Sequence, residues 1–261
     1  MDSMKDLATA ARNEFADVRF VLTDMDETLT FQGRLPAQTY AALETLQAAG
    51  VKVIPVTAAP AGWCDQMARM WPVEGVIGEN GGCYFARGAC AHRLDRWFWH
   101  GETNVSIAES LMEIGSRVSA ALPFAVYADD QPFRQTSLAF ATPNLDSERR
   151  RLIAALRAEG ASATLNNLWV LGWLGDYDKL ASSRRVLAQF HGLDVERERD
   201  AILYSGDSAN DASMFGFFRH TVGVSTVRDC LPDIPVPPKW ISKGAGGSGF
   251  VEIAQAVLAG R

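Results

Sequence analysis

Apolar residues in this chain gather in short runs that break into polar or glycine-containing turns. The runs at 20–22, 51–56, 75–78, 201–204 and 221–224 are rich in β-branched and aromatic residues and lack helical spacing, which predicts buried parallel strands. Helical patterns begin near Ala61 and near Ala209, and run over 180–190 and 250–258. The polar opening MDSMKDLATAARNEF reads as helix-prone. Strands alternating with helices predict an α/β fold with a Rossmann-like, doubly wound parallel sheet as its core. The Val-Gly-Val at 222–224 is expected at the sheet edge.

The rhythm breaks once. About 120 residues separate Thr57 from Lys179, too many for one loop or one βα unit. Glu79-Asn80-Gly81-Gly82 is a turn signal of the kind that joins two strands. Beyond it the pattern predicts a helix over 102–121, strands over 124–128 and 137–142, a helix over 145–159, and strands near Ala163 and Trp169. Pro143-Asn144 supplies a break and a cap before the second helix. An antiparallel sheet with two helices on one face fits this order.

The first strand ends in Asp24-Met25-Asp26-Glu27-Thr28. Alternation along a strand would send Asp24 and Asp26 to the same side. The carboxyl edge of a parallel sheet is where ligands bind. Two like charges held there repel, and Mg²⁺ with a substrate phosphate resolves the conflict. One Asp can then attack phosphorus while its neighbour handles the leaving group's proton. A lone pair of acids this close also reads as ordinary turn capping, so further pieces must decide.

Three follow in order. Val51 to Thr57 ends in a hydroxyl that either donates to a phosphoryl oxygen or caps the helix near Ala61. Lys179 stands at a helix start, where a cation is disfavoured unless phosphate or carboxylate lies near; an exposed Lys beside Asp178 is the alternative. In AILYSGDSANDASMF, Asp207 and Asp211 lie one helical turn apart, and Asn210 with the turn's N–H groups can meet phosphate. An acid capping a helix explains Asp207 alone, but not the whole GDSANDASM pattern.

Together these pieces resemble the haloacid dehalogenase superfamily of phosphohydrolases. DMDET at 24–28 looks like its DxDGT loop with Glu27 in place of Gly, Thr57 and Lys179 match its hydroxyl and lysine motifs, and GDSANDASM at 206–214 its acidic motif. The resemblance implies that Asp24 is the nucleophile and Asp26 the general acid and then base. It further implies that Asp24, the Asp26 carbonyl and Asp207 bind Mg²⁺, with Asp211 behind them near the metal's waters. Thr57, Lys179 and Asn210 would hold the phosphoryl group. Ala58-Ala59 stands where large-cap members often carry Gly-Arg, which removes a possible cation, and Glu27 adds a negative charge. The ENGG segment resembles the subgroup with an inserted α/β cap domain, which includes Cof-type sugar phosphatases and sucrose-phosphate phosphatases. That implies a core of residues 1–86 and 175–261 and a cap of 87–174 that sets specificity.

Within the cap, Arg134 in YADDQPFRQ can fork onto a carboxylate, phosphate or sugar diol, or pair with Asp129 or Asp130 at the surface. Trp169 and Leu171 stand where sugar-contacting His or Asn often occurs in sucrose-phosphatase-like relatives. The aromatic cluster Trp97-Phe98-Trp99 is expected to pack at the cap's base. Gly244–Gly249 lacks the context of a dinucleotide-binding turn.

Composition narrows the classes further. A hydrophobic fraction of 48% excludes wholesale disorder, and a net charge of −6 argues against a nucleic-acid surface. There is no membrane-length apolar run and no secretion-signal core at the N-terminus. The cysteines at 64, 83, 90 and 230 show no CxxC spacing, as expected of reduced thiols in a cytoplasmic protein. The expected function is Mg²⁺-dependent hydrolysis of a small phosphomonoester, a sugar phosphate or phosphorylated glycoside, through an aspartyl-phosphate. A phosphomutase is the alternative among enzymes, and a phospho-ligand sensor the alternative outside them.

Overall fold

The computed structural model describes residues 4–90, 92–166 and 168–261. Its strands are β1 (Lys5–Asp6), β2 (Phe20–Thr23), β3 (Lys52–Pro55), β4 (Gly75–Gly78), β5 (Cys83–Arg87) and β6 (Leu94–Phe98), then β7 (Ser137–Ala141), β8 (Ser162–Leu165), β9 (Trp169–Trp173), β10 (Ile202–Gly206), β11 (His220–Gly223) and β12 (Trp240–Ile241). The helices are α1 (Ala37–Ala48), α2 (Ala61–Met70), α3 (Asn104–Ala121), α4 (Asp146–Ala158), α5 (Lys179–His191), α6 (Ala212–Phe217) and α7 (Gly246–Ala259).

Six parallel strands form the central sheet in the order β1-β12-β11-β10-β2-β3. Side chains alternate across each strand, and here both faces are buried. Val21, Val53, Leu203 and Val222 meet Leu43 and Leu46 of α1, Met67 of α2, and Phe250 and Ile253 of α7. Phe20, Leu22, Ile54 and Ile202 meet Val186 and Leu187 of α5, and Met214 and Phe215 of α6. That two-sided burial is why these strands read as unbroken apolar runs. The carboxyl ends of β2 and β10, adjacent in the sheet, release Asp24 and Asp207 at one edge.

The turn at Glu79–Gly82 joins β4 and β5 as an antiparallel hairpin, extended by β6. Phe85 and Phe98 of this small sheet pack in the same cluster as α2. The insertion carries its own antiparallel sheet, ordered β7-β9-β8. α3 and α4 cover one face, where Leu111, Ile114, Val118, Leu152 and Leu156 pack on Leu138, Phe140 and Val170. Ala139, Leu171 and Trp173 on the other face pack with Tyr177 and with Ala58 of the core.

Four local expectations are corrected. Residues 1–3 lie outside the described residues, and from Met4 to Phe15 the N-terminal segment forms no α-helix: Lys5 and Asp6 pair with Trp240 and Ile241, and a 3₁₀ turn over Leu7–Thr9 follows. The 124–128 strand shrinks to a single bridge from Tyr127 to Phe140, because the chain turns through Asp129-Asp130-Gln131-Pro132. β11 lies inside the sheet, between β10 and β12, not at its edge. The last helix starts at Gly246, inside the glycine stretch. A Cβ at Gly246, where φ is +51°, would stand 2.4 Å from the Thr30 carbonyl oxygen, so the glycines let α7 press against the loop after the two aspartates.

Candidate active site

β2 ends at Thr23, so alternation does not position Asp26; a tight turn does. The Met25 carbonyl accepts from the N–H groups of Thr28 (3.3 Å), Leu29 (2.9 Å) and Thr30 (3.0 Å). Ahead of the turn, the Asp24 N–H donates to the Ser205 carbonyl of β10 at 2.8 Å. This leaves Asp24 buried and Asp26 half-buried. Glu27 takes the left-handed conformation, with φ +57°. Its carboxylate accepts from the Gly33 N–H at 3.3 Å, on the loop side of the turn.

Lys179 is the first residue of α5, capped by the Asp178 carboxylate, which accepts from the Ala181 N–H at 2.7 Å. Its buried ammonium donates to Asp24 Oδ1 at 2.9 Å and Asp211 Oδ1 at 2.8 Å, and Asn210 Oδ1 lies at 3.5 Å. Burial alone would lower its pKa, but Asp211 and Asp24 outweigh that and hold it above the ordinary value. Asp211 is fixed from every side: Oδ1 also accepts from the Tyr204 hydroxyl at 2.5 Å, and Oδ2 from the N–H groups of Asp207 (3.0 Å) and Ser208 (3.2 Å). Asp207 Oδ1 accepts only from the Thr28 hydroxyl, at 3.2 Å, among the described residues.

The acids outnumber the one lysine. Burial, then the charge of Asp24, raises Asp26 to about 7. Burial also raises Asp24, with Lys179 partly offsetting it, and raises Asp207 further, with Asp24 and Asp211 adding to the effect. Oxygens of Asp24, Asp207 and Asp211 lie within 4.8 Å of one another. An all-oxygen set with excess negative charge fits a hard divalent cation. Asp24 and Asp207 suit direct ligation, whereas the filled oxygens of Asp211 suit the supporting role.

Thr57 follows β3 and is fully buried; its hydroxyl oxygen accepts from the Ala59 N–H at 3.0 Å, the capping arrangement. No described residue accepts its proton, which remains available to an anion. Asn210 holds its carbonyl toward the Ser208 hydroxyl at 2.8 Å.

Arg134 is not at the surface and is not free. Its side chain is 1% exposed and forks onto Asp130 at 3.0 and 2.7 Å, while Nη1 donates to the Ala58 carbonyl (3.0 Å) and Ser137 Oγ (3.1 Å). Of the two alternatives, the pairing with Asp130 is the one the structure contains. It produces a clasp from the insertion to the loop after Thr57, and Arg134 lowers Asp26 from a distance. Trp169 donates its indole N–H to the same Asp130 at 3.2 Å. Trp97 and Trp99 flank the Arg185 guanidinium, 5.1 and 5.0 Å from their ring centres, so that cluster is packing.

Two contributors escaped the sequence reading. Tyr204 looks like any apolar strand residue, yet its hydroxyl holds Asp211. Glu79, in the ENGG turn, is 1% exposed and accepts five hydrogen bonds of 2.7–2.9 Å, from the N–H groups of Ala61, Gln135 and Thr136 and the hydroxyls of Thr136 and Ser137. Its only signal is an acid inside a glycine turn between two apolar strands.

No protein-family model matches the chain, and no curated protein matches it. Solved structures do match its fold. A Thermoplasma acidophilum protein, 0175, aligns with a TM-score of 0.72 at 18% identity, over 93% of this chain and 99% of that one. A haloacid dehalogenase-like hydrolase from Bacteroides thetaiotaomicron aligns at 0.69 and 12% identity, over 92% and 99%. A haloacid dehalogenase subclass IIB sugar phosphatase aligns at 0.64 and 12% identity, over 93% and 100%. The fold is therefore that of the haloacid dehalogenase-like hydrolases with an inserted cap. No described helix is long and apolar enough to cross a membrane.

Proposed function

We propose that the protein is a phosphohydrolase that removes phosphate from a small monoester by way of an aspartyl-phosphate on Asp24. The observation that carries this reading is the convergence of Asp24, Lys179, Asp207 and Asp211 on one buried point at the carboxyl edge of the sheet. The Asp24 carboxylate attacks phosphorus as Asp26, protonated near neutrality, gives its proton to the departing alcohol oxygen. The P–O bond to the alcohol breaks and the acyl phosphate forms. Asp26, now a base, takes a proton from water; the water oxygen bonds to phosphorus, the bond to Asp24 breaks, and phosphate leaves. Lys179, Thr57 and the Asn210 amide hold the phosphoryl oxygens.

Mg²⁺ held by Asp24, the Asp26 carbonyl and Asp207, with Asp211 behind, would neutralise the charge gathered there and polarise the phosphoryl group. Free cysteines, Cys90 among them exposed, and the acidic net charge support a cytoplasmic enzyme with small phosphorylated substrates rather than nucleic acid. Phosphate release from a panel of monoesters, with Mg²⁺ and with EDTA, tests the proposal. Release that needs the metal supports it, whereas release indifferent to EDTA, or none from any ester, contradicts it.

A further inference from the structure

A second feature begins at Asp26. A cleft of about 350 Å³ opens beside this residue on the core domain, between the loop after the Asp24–Thr30 turn and α2. Met25, Leu35, Trp63, Met67 and Trp71 line it. Met25 and Met67 are buried in its floor, whereas Trp63 is 45% exposed. Among the described residues, Asp26 is the only charged one on its wall, and no cation lines it. On the insertion side, Phe133, itself 55% exposed, stands over the rim: a Cβ on Gly62 would lie 3.1 Å from the Phe133 Cβ.

We infer that this cleft is the leaving-group subsite, and that it selects monoesters whose alcohol is uncharged and presents a flat apolar face to Trp63. The inference rests on the phosphohydrolase reading, since it takes Asp26 as the group that protonates the alcohol. The leaving oxygen must lie at Asp26, so the rest of the alcohol extends into space adjoining that carboxyl. The cleft that Asp26 lines has aromatic and thioether walls. Such walls gain by covering the C–H face of a ring and leave a second phosphate or carboxylate desolvated and unpaired. Ring C–H faces occur in both sugars and aryl groups, and the test separates them.

Steady-state rates on glucose 6-phosphate, phenyl phosphate, acetyl phosphate, phosphoserine and fructose 1,6-bisphosphate should be compared for the native protein, Trp63→Ala and Trp63→Phe. Trp63→Ala should lower kcat/KM for the favoured ring ester about tenfold relative to acetyl phosphate, mainly through KM, and Trp63→Phe should recover part of the loss. Loss confined to glucose 6-phosphate names a sugar, loss confined to phenyl phosphate an aryl alcohol, and loss in both the shared ring face. A uniform change across all esters, no change, or preference for the doubly charged esters overturns the inference. Binding of the ring esters to Asp24→Asn, alone and combined with Trp63→Ala, reads the subsite without turnover. A Kd about tenfold weaker in the double variant supports it, and equal Kd values overturn it. If that difference appears while the native protein hydrolyses nothing, the hydrolase reading fails and the cleft stands only as a ring-binding site.

Discussion

Glu27 occupies a left-handed backbone position that glycine adopts without steric cost, and no contact in the active site compensates for the difference. Glu27→Gly should therefore raise stability, by up to about 1 kcal/mol in chemical denaturation. The same change has an electrostatic effect. Glu27 is among the charges that raise Asp26, so removing it lowers the Asp26 pKa. Since the acid must be protonated to release the alcohol, the alkaline limb of the pH–rate profile should move to lower pH, and an unmoved limb would remove Asp26 from that role. Asp24→Asn should abolish turnover with the circular dichroism spectrum unchanged. Asp207→Asn should raise the Mg²⁺ concentration needed for half-maximal rate, because one negative ligand is lost. At this scale the sequence was most informative where chemistry forces a residue type: Asp24, Lys179, Asp207 and Asp211 stand together, whereas Asp26 is placed by a turn and not by the strand alternation expected of it. Tyr204 escaped because its ring satisfies the apolar pattern whatever its hydroxyl does.

Between elements, Glu79 and Arg134 tie the insertion to the core. Glu79 reaches from the β4–β5 turn to the residues that open β7, and Arg134 reaches back to the Ala58 carbonyl. Glu79→Ala would leave the buried N–H groups of Ala61 and Thr136, and the partly buried one of Gln135, without their acceptor and should cost about 3–5 kcal/mol. Glu79→Gln keeps an acceptor oxygen and should cost less. A thermal shift equal for the two variants would show that the carboxylate is not what fastens these segments. The turn itself was legible from its glycines, but which way its acid points depends on partners some 57 residues further along the chain. Arg134 pairs with Asp130, one of the alternatives its segment offered, but inside the protein and not at the surface, because a guanidinium in a polar segment gives no sign of whether it is buried. The 124–128 strand was misjudged because apolar residues next to an edge strand form one bridge as readily as a ladder.

Over the whole molecule, a two-faced sheet explains why the fold was readable: strands buried on both sides lose the alternation of surface strands, and their ends mark the ligand edge. The N-terminal β1 was not readable, since two residues paired at a sheet edge carry no periodicity. Concentrating carboxylates at that edge makes the fold pH-dependent. Asp24, Asp26 and Asp207 all bind their protons more tightly folded than unfolded, Asp26 with a value of about 7 against an ordinary 3.8. Their contribution to stability is therefore full below about pH 4 and lost as the pH rises through the folded values. Without metal, the melting temperature should fall between about pH 5 and 8, and Mg²⁺ should restore more of it at pH 8 than at pH 5, as calorimetry can measure. The central claim is that phosphate passes through Asp24. Turning over a labelled ester with Mg²⁺, quenching in acid and mapping the label by peptide mass spectrometry tests it most directly. A phosphoryl group on Asp24 in the native protein, absent from Asp24→Asn, is the predicted result; turnover with the label on another residue or on none would contradict it.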